Sequence, residues 1–428
     1  MTPPTDRCVV PSAVAGHGRP VGGTGEHRIP RHCTRAVDAR DPAAARTYPA
    51  GSDGPPAPRR RPADRETAMT AADGPTPVRA VLDAVRRSGT AALAPAFLAD
   101  LAAVRDRGVD DPFLAAFLDS VLGRHDDRFR NRTYLALPLV EELMAATGTD
   151  ADDMAALLMA DVVRFELTAA RLPAGAGAPD RPDERTLATR LRHARRFVDL
   201  CRGANPGAVL PEPRGPVAEW LPATALPVTA LHDEYFFLRV LQCHELTFTA
   251  LLADVRRATG SLRGGDPDAA AAHLRHADAV FARAALLFRV VATMHPSTFH
   301  AFRVFTEGAS AIQSDQYKRF EAACRRPDAA RLDSDAFTNV PVVLAEVLGG
   351  QDDLTAAALA ARDEDPDAPG WAGFDAALHT LEESHQRWKT THVGLATRLL
   401  GDAHGSGYTA GVPYLRGCVR NRLFTSTA

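Results

Sequence analysis

The sequence predicts an all-α protein, on three observations. Apolar residues recur at helical spacing over long stretches, no segment keeps a period-two alternation, and an Ala- and Leu-rich composition gives a 45% hydrophobic share. Val81, Leu82 and Val85, then Phe97, Leu98, Leu101 and Val104, mark the first helical stretches. A longer run spans Tyr134 to Arg171. Gly148 and the acids Asp150, Asp152 and Asp153 divide it into two helices, the glycine as a stop and the acids facing the next N-terminal dipole. Residues 173–185 and 205–228 are rich in Pro and Gly and read as loops. The helix between them carries Arg190, Arg192, Arg195 and Arg196, read as a solvated basic face. Four strong helical stretches follow Pro227, at about 229–258, 266–294, 296–325 and 371–400.

Residues 1–75 break this pattern. They are dense in Pro, Gly, Ala and Arg, with eleven arginines against seven acids through Ala68, and carry too little apolar surface to offset the entropy of ordering. Two readings stand: a disordered basic tail, or a stretch ahead of a true start at Met69, which opens an ordinary N-terminal sequence. The expected organisation is a tail over 1–75, a helical N-terminal region with an insertion over 76–225, and a catalytic domain over 226–428.

The 428 residues carry 50 basic and 53 acidic side chains, a formal charge of −3, so a strongly cationic nucleic-acid binder is excluded. Only two of the basic residues are lysines, Lys318 and Lys389. Neither follows a Gly-rich run, so there is no P-loop. Six scattered cysteines without a CxxC pair read as reduced thiols in a cytoplasm. No apolar run of about 18 residues is free of charge, so no membrane span is expected.

The last long helix holds the densest chemistry. Phe374, Leu378, Leu381, Trp388, Leu395 and Leu399 form its apolar side, Gly401 ends it, and His392 follows Trp388 by one turn. A neutral imidazole projecting into a bundle interior suits axial ligation of haem iron; on spacing alone a satisfied core histidine is the plainer reading. The loop from Gly401 to Gly411 has four glycines and three hydroxyl residues, able to approach a ligand closely. Glu382 and His385 make one ExxH pair; a di-iron bundle needs two, and there is no second, nor any HExxH or GxSxG.

These residues resemble a known family. His232-Asp-Glu-Tyr-Phe-Phe-Leu-Arg-Val-Leu-Gln-Cys-His-Glu-Leu-Thr-Phe248 looks like the HDE…LF…HQ…ELWF helix of tryptophan 2,3-dioxygenase. Met294-His-Pro-Ser-Thr-Phe-His-Ala-Phe-Arg303, followed by Ala309-Ser-Ala-Ile-Gln-Ser-Asp-Gln-Tyr317, is similar to its MTP…FR…SSGFQS…QYR segment. Trp388, His392, Arg398, Gly401, Gly405, Thr409, Gly411 and Arg416 match its haem-ligand helix and the loop after it. Thr133-Tyr134-Leu135-Ala-Leu137 looks like its TYLxL segment.

The resemblance implies a helix bundle enclosing a haem. His392 would be the iron ligand, Arg303 the clamp on a substrate carboxylate, and Ser406, with Thr409, the contact to the amino-acid head group. Phe237 and Phe299 match pocket aromatics, Ser310 and Ala311 a small-residue wall over the haem, and Trp388 and Leu241 further cofactor contacts. The family forms tetramers in which an N-terminal segment reaches a neighbour's site. The resemblance thus implies a homo-oligomer, dimer or tetramer, with Tyr134 in that part.

The departures are informative. The family's distal histidine falls at Leu241, the ELWF tryptophan at Thr247, and the GTGGT loop reads Gly-Ser-Gly-Tyr-Thr. The pattern is closer to related histidine-ligated haem enzymes of natural-product pathways, including tyrosine ring hydroxylases. A cysteine that attaches haem in some of these corresponds to Ala396, so haem b is expected to be non-covalent. With Leu241 in place of the distal base, His244 or His295 is the candidate acid/base. The expected function is haem-dependent ring hydroxylation of L-tyrosine or a derivative, using dioxygen or hydrogen peroxide. The alternatives are tryptophan 2,3-dioxygenation to N-formylkynurenine and a non-catalytic haem-binding protein. No nucleic acid or membrane partner is expected.

Overall fold

Capping chemistry in the sequence delimits most helices. The computed structural model describes residues 77–124, 130–173, 180–306, 311–405 and 409–424, and these hold α-helices and 3-10 turns without a β-strand. The expectations for residues 1–75 lie outside them. The first helices are α1 (Pro77–Ser88), α2 (Pro95–Asp106), α3 (Pro112–Leu122), α4 (Asn131–Tyr134) and α5 (Leu137–Thr147). Next come α6 (Ala151–Ala170), α7 (Glu184–Cys201) and α8 (Gly215–Trp220). Two long helices follow, α9 (His232–Arg263) and α10 (Pro267–Val291), then α11 (Pro296–Arg303) and α12 (Asp315–Cys324). The remainder comprises α13 (Ala329–Leu332), α14 (Asp335–Thr338), α15 (Pro341–Leu348), α16 (Leu354–Glu364), α17 (Trp371–Leu400) and α18 (Val412–Val419). Asp111, Asp150, Asp183, Asp266 and Asp353 each accept a backbone N–H at the start of a helix, and Gly148 stops α5 at φ 66°.

Three sequence expectations are corrected. The single helix expected over 296–325 is broken, because Ser314 takes the N-cap position of α12 and accepts from the Tyr317 N–H. Within the loop expected over 205–228, Pro216 at the first turn starts the short α8. Arg190 is not on a solvated face. It is fully buried and pairs with Glu166 at 2.5 Å and Asp233 at 2.9 Å, while Glu166 also meets His232 at 3.0 Å. A buried guanidinium persists only with such partners. This cluster ties α6 and α7 to the start of α9, with Thr293 beyond α10 accepting from Arg190 Nε.

Two hydrophobic clusters share the three long helices. Phe236, Val240 and Leu246 of α9 belong to the first, and Phe248 to Leu262 to the second. In α10 the change falls between Phe281 and Leu286, and in α17 between Leu381 and Leu399. The first cluster takes residues from both sides of position 225, from Val81 to Leu399. By length and composition α9 could cross a membrane, but 72% of its most apolar window is buried inside the fold, as befits a core helix. Cys201, Cys243, Cys324 and Cys418 are free thiols. Cys8 and Cys33 lie outside the described residues.

Candidate active site

A cavity of about 280 Å³ opens where the long helices pass from one cluster to the other. α17 brings His392 to its wall one turn beyond Trp388. The imidazole stacks on Phe288 at 5.4 Å between centroids, 20° from parallel, with Trp388 at 5.8 Å. Burial pushes its pKa down to about 4, so the ring is neutral and its lone pair is free to coordinate.

Arg303, the last residue of α11, lies on the same cavity. It makes no ion pair among the described residues, and burial without an anion pulls its pKa down. One Nη donates to the carbonyl of His404 in the loop after α17. Phe237, Phe299 and Phe302 form an aromatic trio here, with centroids 5.3 to 5.7 Å apart. The glycine loop folds back on itself: Gly405 N–H donates to the Thr409 carbonyl, and a Cβ on Gly405 would lie 1.9 Å from Thr409 Oγ1.

Leu241, Ala311, Thr409 and Trp388 also line the cavity. Ser310 and Ser406 lie outside the described residues. Tyr134 is buried in the wall of its own chain's cavity, donating to Glu234 at 3.3 Å. His244 lines the cavity but shares the aromatic packing of His392, 5.0 Å from Phe288 and 6.1 Å from Trp388. His295 is exposed. Its Nδ1 accepts from Ser297 N–H as the N-cap of α11, and it is not among the cavity-lining residues, so the acid/base expectation for it is withdrawn.

No family model matches the chain. It is 29% identical over 234 residues to the tryptophan 2,3-dioxygenase of Anaeromyxobacter dehalogenans, covering 47% of this chain and 86% of that protein. The similarity to the enzyme of the same name from Ruegeria pomeroyi is 29% over 237 residues, 47% of this chain and 85% of the relative. For the one from Burkholderia pseudomallei it is 28% over 220 residues, 43% and 72%. These similarities support membership of the tryptophan 2,3-dioxygenase superfamily.

Superfamily membership makes haem the group to test against this cavity, and the residues fit it. His392 offers a neutral imidazole with no hydrogen-bond partner among the described residues, set in walls of Phe, Leu, Val and Ile. Two buried polar atoms there, His244 Nδ1 and Trp388 Nε1, have no partner. Native interiors rarely leave such atoms unpaired without a ligand or water to meet them. No group of three or more His, Cys, Asp or Glu among the described residues could hold a metal ion by itself.

Sequence reasoning missed several groups in this superfamily site. Glu245, beside His244, is a buried cavity-lining carboxyl; burial raises its pKa to about 7 against the Ser314 hydroxyl that donates to it at 2.9 Å. The adjacent His-Glu pair within the stretch from Val240 to Leu252 was the available signal. Tyr317 lines the cavity, stacks on Trp388 and meets His385 Nε2 at 2.9 Å. Nothing in the sequence pointed to that link, because its partners are 68 residues apart. Lys318, Lys389 and Arg331 also face the cavity.

Proposed function

We propose that this chain is a haem-dependent oxygenase of an aromatic L-amino acid, with haem b held non-covalently through His392. One observation carries the reading: a single cavity gathers a neutral imidazole, an arginine with no ion pair among the described residues and three phenylalanines. Bound haem supplies the oxygen chemistry, and the protein supplies orientation and exclusion of water. Arg303 takes the substrate carboxylate through its planar fork, and Ser406 and Thr409 meet the head group. Phe237 and Phe299 enclose the aromatic ring. Glu245 can hold or release a proton near neutral pH. Free thiols, two of them fully buried, fit a cytoplasmic enzyme. The homo-oligomer rests on the resemblance.

The test is an absorption spectrum of the haem-supplied chain beside its His392→Ala variant, followed by titration with L-tyrosine and L-tryptophan. A Soret band that is lost or strongly shifted in the variant, and that one amino acid perturbs in the parent, is expected. A folded parent without a Soret band overturns the reading.

Leu241 favours a second, finer reading. An apolar side chain stands where a distal base is expected, which suits ring hydroxylation of L-tyrosine by dioxygen or peroxide better than indole cleavage. The names of the relatives favour cleavage to N-formylkynurenine. Product mass separates them: one added oxygen or two. The arginine clamp argues against a non-catalytic haem carrier, since storage of haem needs no carboxylate site.

A further inference from the structure

The protein's only two lysines line the same cavity, 71 positions apart in the chain, and both are buried. Burying an ammonium is costly, and arginine is this chain's usual cation, so two lysines at one place need a reason. Lys318 pairs with Glu321 at 3.1 Å, and Arg331 takes both oxygens of the same carboxylate at 2.7 and 3.0 Å. Lys389 makes no ion pair among the described residues; it donates to the carbonyls of Cys418, at 3.0 Å, and Asn421. The nearby Glu382 accepts the N–H groups of Leu423 and Phe424 and the Gln386 amide, and acts on Lys389 by its charge, without an ion-pair contact. Three cations therefore share the carboxylates of Glu321 and Glu382, and only Glu321 is in ion-pair contact with any of the three. An ammonium has three N–H donors, so each lysine keeps at least one unused. Beside Lys389 the indole N–H of Trp388, donor only, is buried without an acceptor.

We propose that Lys318, Lys389 and Arg331 form a dicarboxylate subsite at one end of the cavity, which takes the two propionates of the haem. The inference rests on the haem reading and adds to it the direction in which the porphyrin enters: anionic edge towards α12 and α18. The lysines serve as compact point charges beside the planar fork of Arg331. Trp388 offers a further N–H to one carboxylate. Two incoming carboxylates give Lys389 the ion-pair contact it lacks and add a second one to Lys318 or Arg331.

The test compares haem with haem dimethyl ester, titrated into the full chain and followed at the Soret band. The parent is expected to prefer the free acid roughly tenfold to a hundredfold, the range for charge-assisted hydrogen bonds. Lys318→Met with Lys389→Met should abolish that preference, whereas the same positions changed to Arg should keep most of it. Far-UV circular dichroism reports whether each variant folds. Should the methionine variant not fold, the acid-to-ester ratio of the parent still decides: equal affinities overturn the subsite. A methionine variant that folds and keeps the full preference also overturns it, because the ester's bulk then explains the ratio. Absence of a Soret band with either porphyrin is a different result, which removes the haem reading itself.

Discussion

His244 and His392 pack against one ring, that of Phe288, with centroid distances of 5.0 and 5.4 Å. They come from α9 and α17, and each is neutral because burial opposes its charge; the pKa of His244 falls to about 3, lowered further by His392. Of these two, only His244 has a fully buried ring nitrogen without a hydrogen-bond partner among the described residues. Its folded pKa lies below that of an unfolded histidine, so it weakens the fold as pH drops below about 6.5. His244→Phe should therefore raise the free energy of unfolding by about 1 kcal/mol at pH 7, by removing an unsatisfied polar atom. The gain should grow to about 3 kcal/mol at pH 5. Urea unfolding at the two pH values checks this, and a gain that does not grow towards acid contradicts it.

Arg303 makes no ion pair among the described residues, and the proposed function gives it the substrate carboxylate. Arg303→Lys keeps the charge but loses the bidentate fork. Affinity for the amino acid should weaken roughly tenfold or more, with the Soret band of the ligand-free protein unchanged. Spectral titration gives both quantities. Unaltered affinity would move the carboxylate to another residue.

Glu245 makes the opposite pH prediction from the histidines. Its folded pKa of about 7 lies above its unfolded value, so its contribution is full in acid and falls as pH rises from about 4.5 to 7. Glu245→Gln mimics the protonated form and still accepts from Ser314. The variant should match the parent near pH 4.5 and exceed it by up to about 3 kcal/mol above pH 7. Parallel stability curves for the two proteins would show that Glu245 is ionised in the fold.

The Arg190 cluster tests the scaffold away from the cavity. Arg190→Met strands Glu166 and Asp233 in an apolar interior, at a cost of about 3–5 kcal/mol. Chemical denaturation measures it. A change below about 1 kcal/mol would mean that His232 and water satisfy both carboxylates.

The long helices were legible in the sequence because their apolar stripes repeat over many turns, and Trp388 and His392 were legible because they share a face of one such helix. Arg190 was misread for a physical reason: helical periodicity marks which face a residue occupies, but a cation on the buried face looks solvated until Glu166 and Asp233 arrive from two other helices. The break before α12 turned on one serine cap inside a helix-forming stretch. The two lysines were noticed as rare residues, yet their convergence depends on the meeting of α12 and α17 side chains, Tyr317 against Trp388, that no local pattern encodes. Glu245 shows the same limit, since its neighbours Ser314 and Arg132 come from distant segments.

Three helices thread both hydrophobic clusters, and the cavity lies where each passes from one to the other. Neither half of the bundle can loosen without bending rods that the other half also holds. A molecule lodged at that seam touches all three rods at once, so it acts as a rivet as well as a cargo. Occupancy would then read out far from the site, in the sharpness with which the whole chain melts.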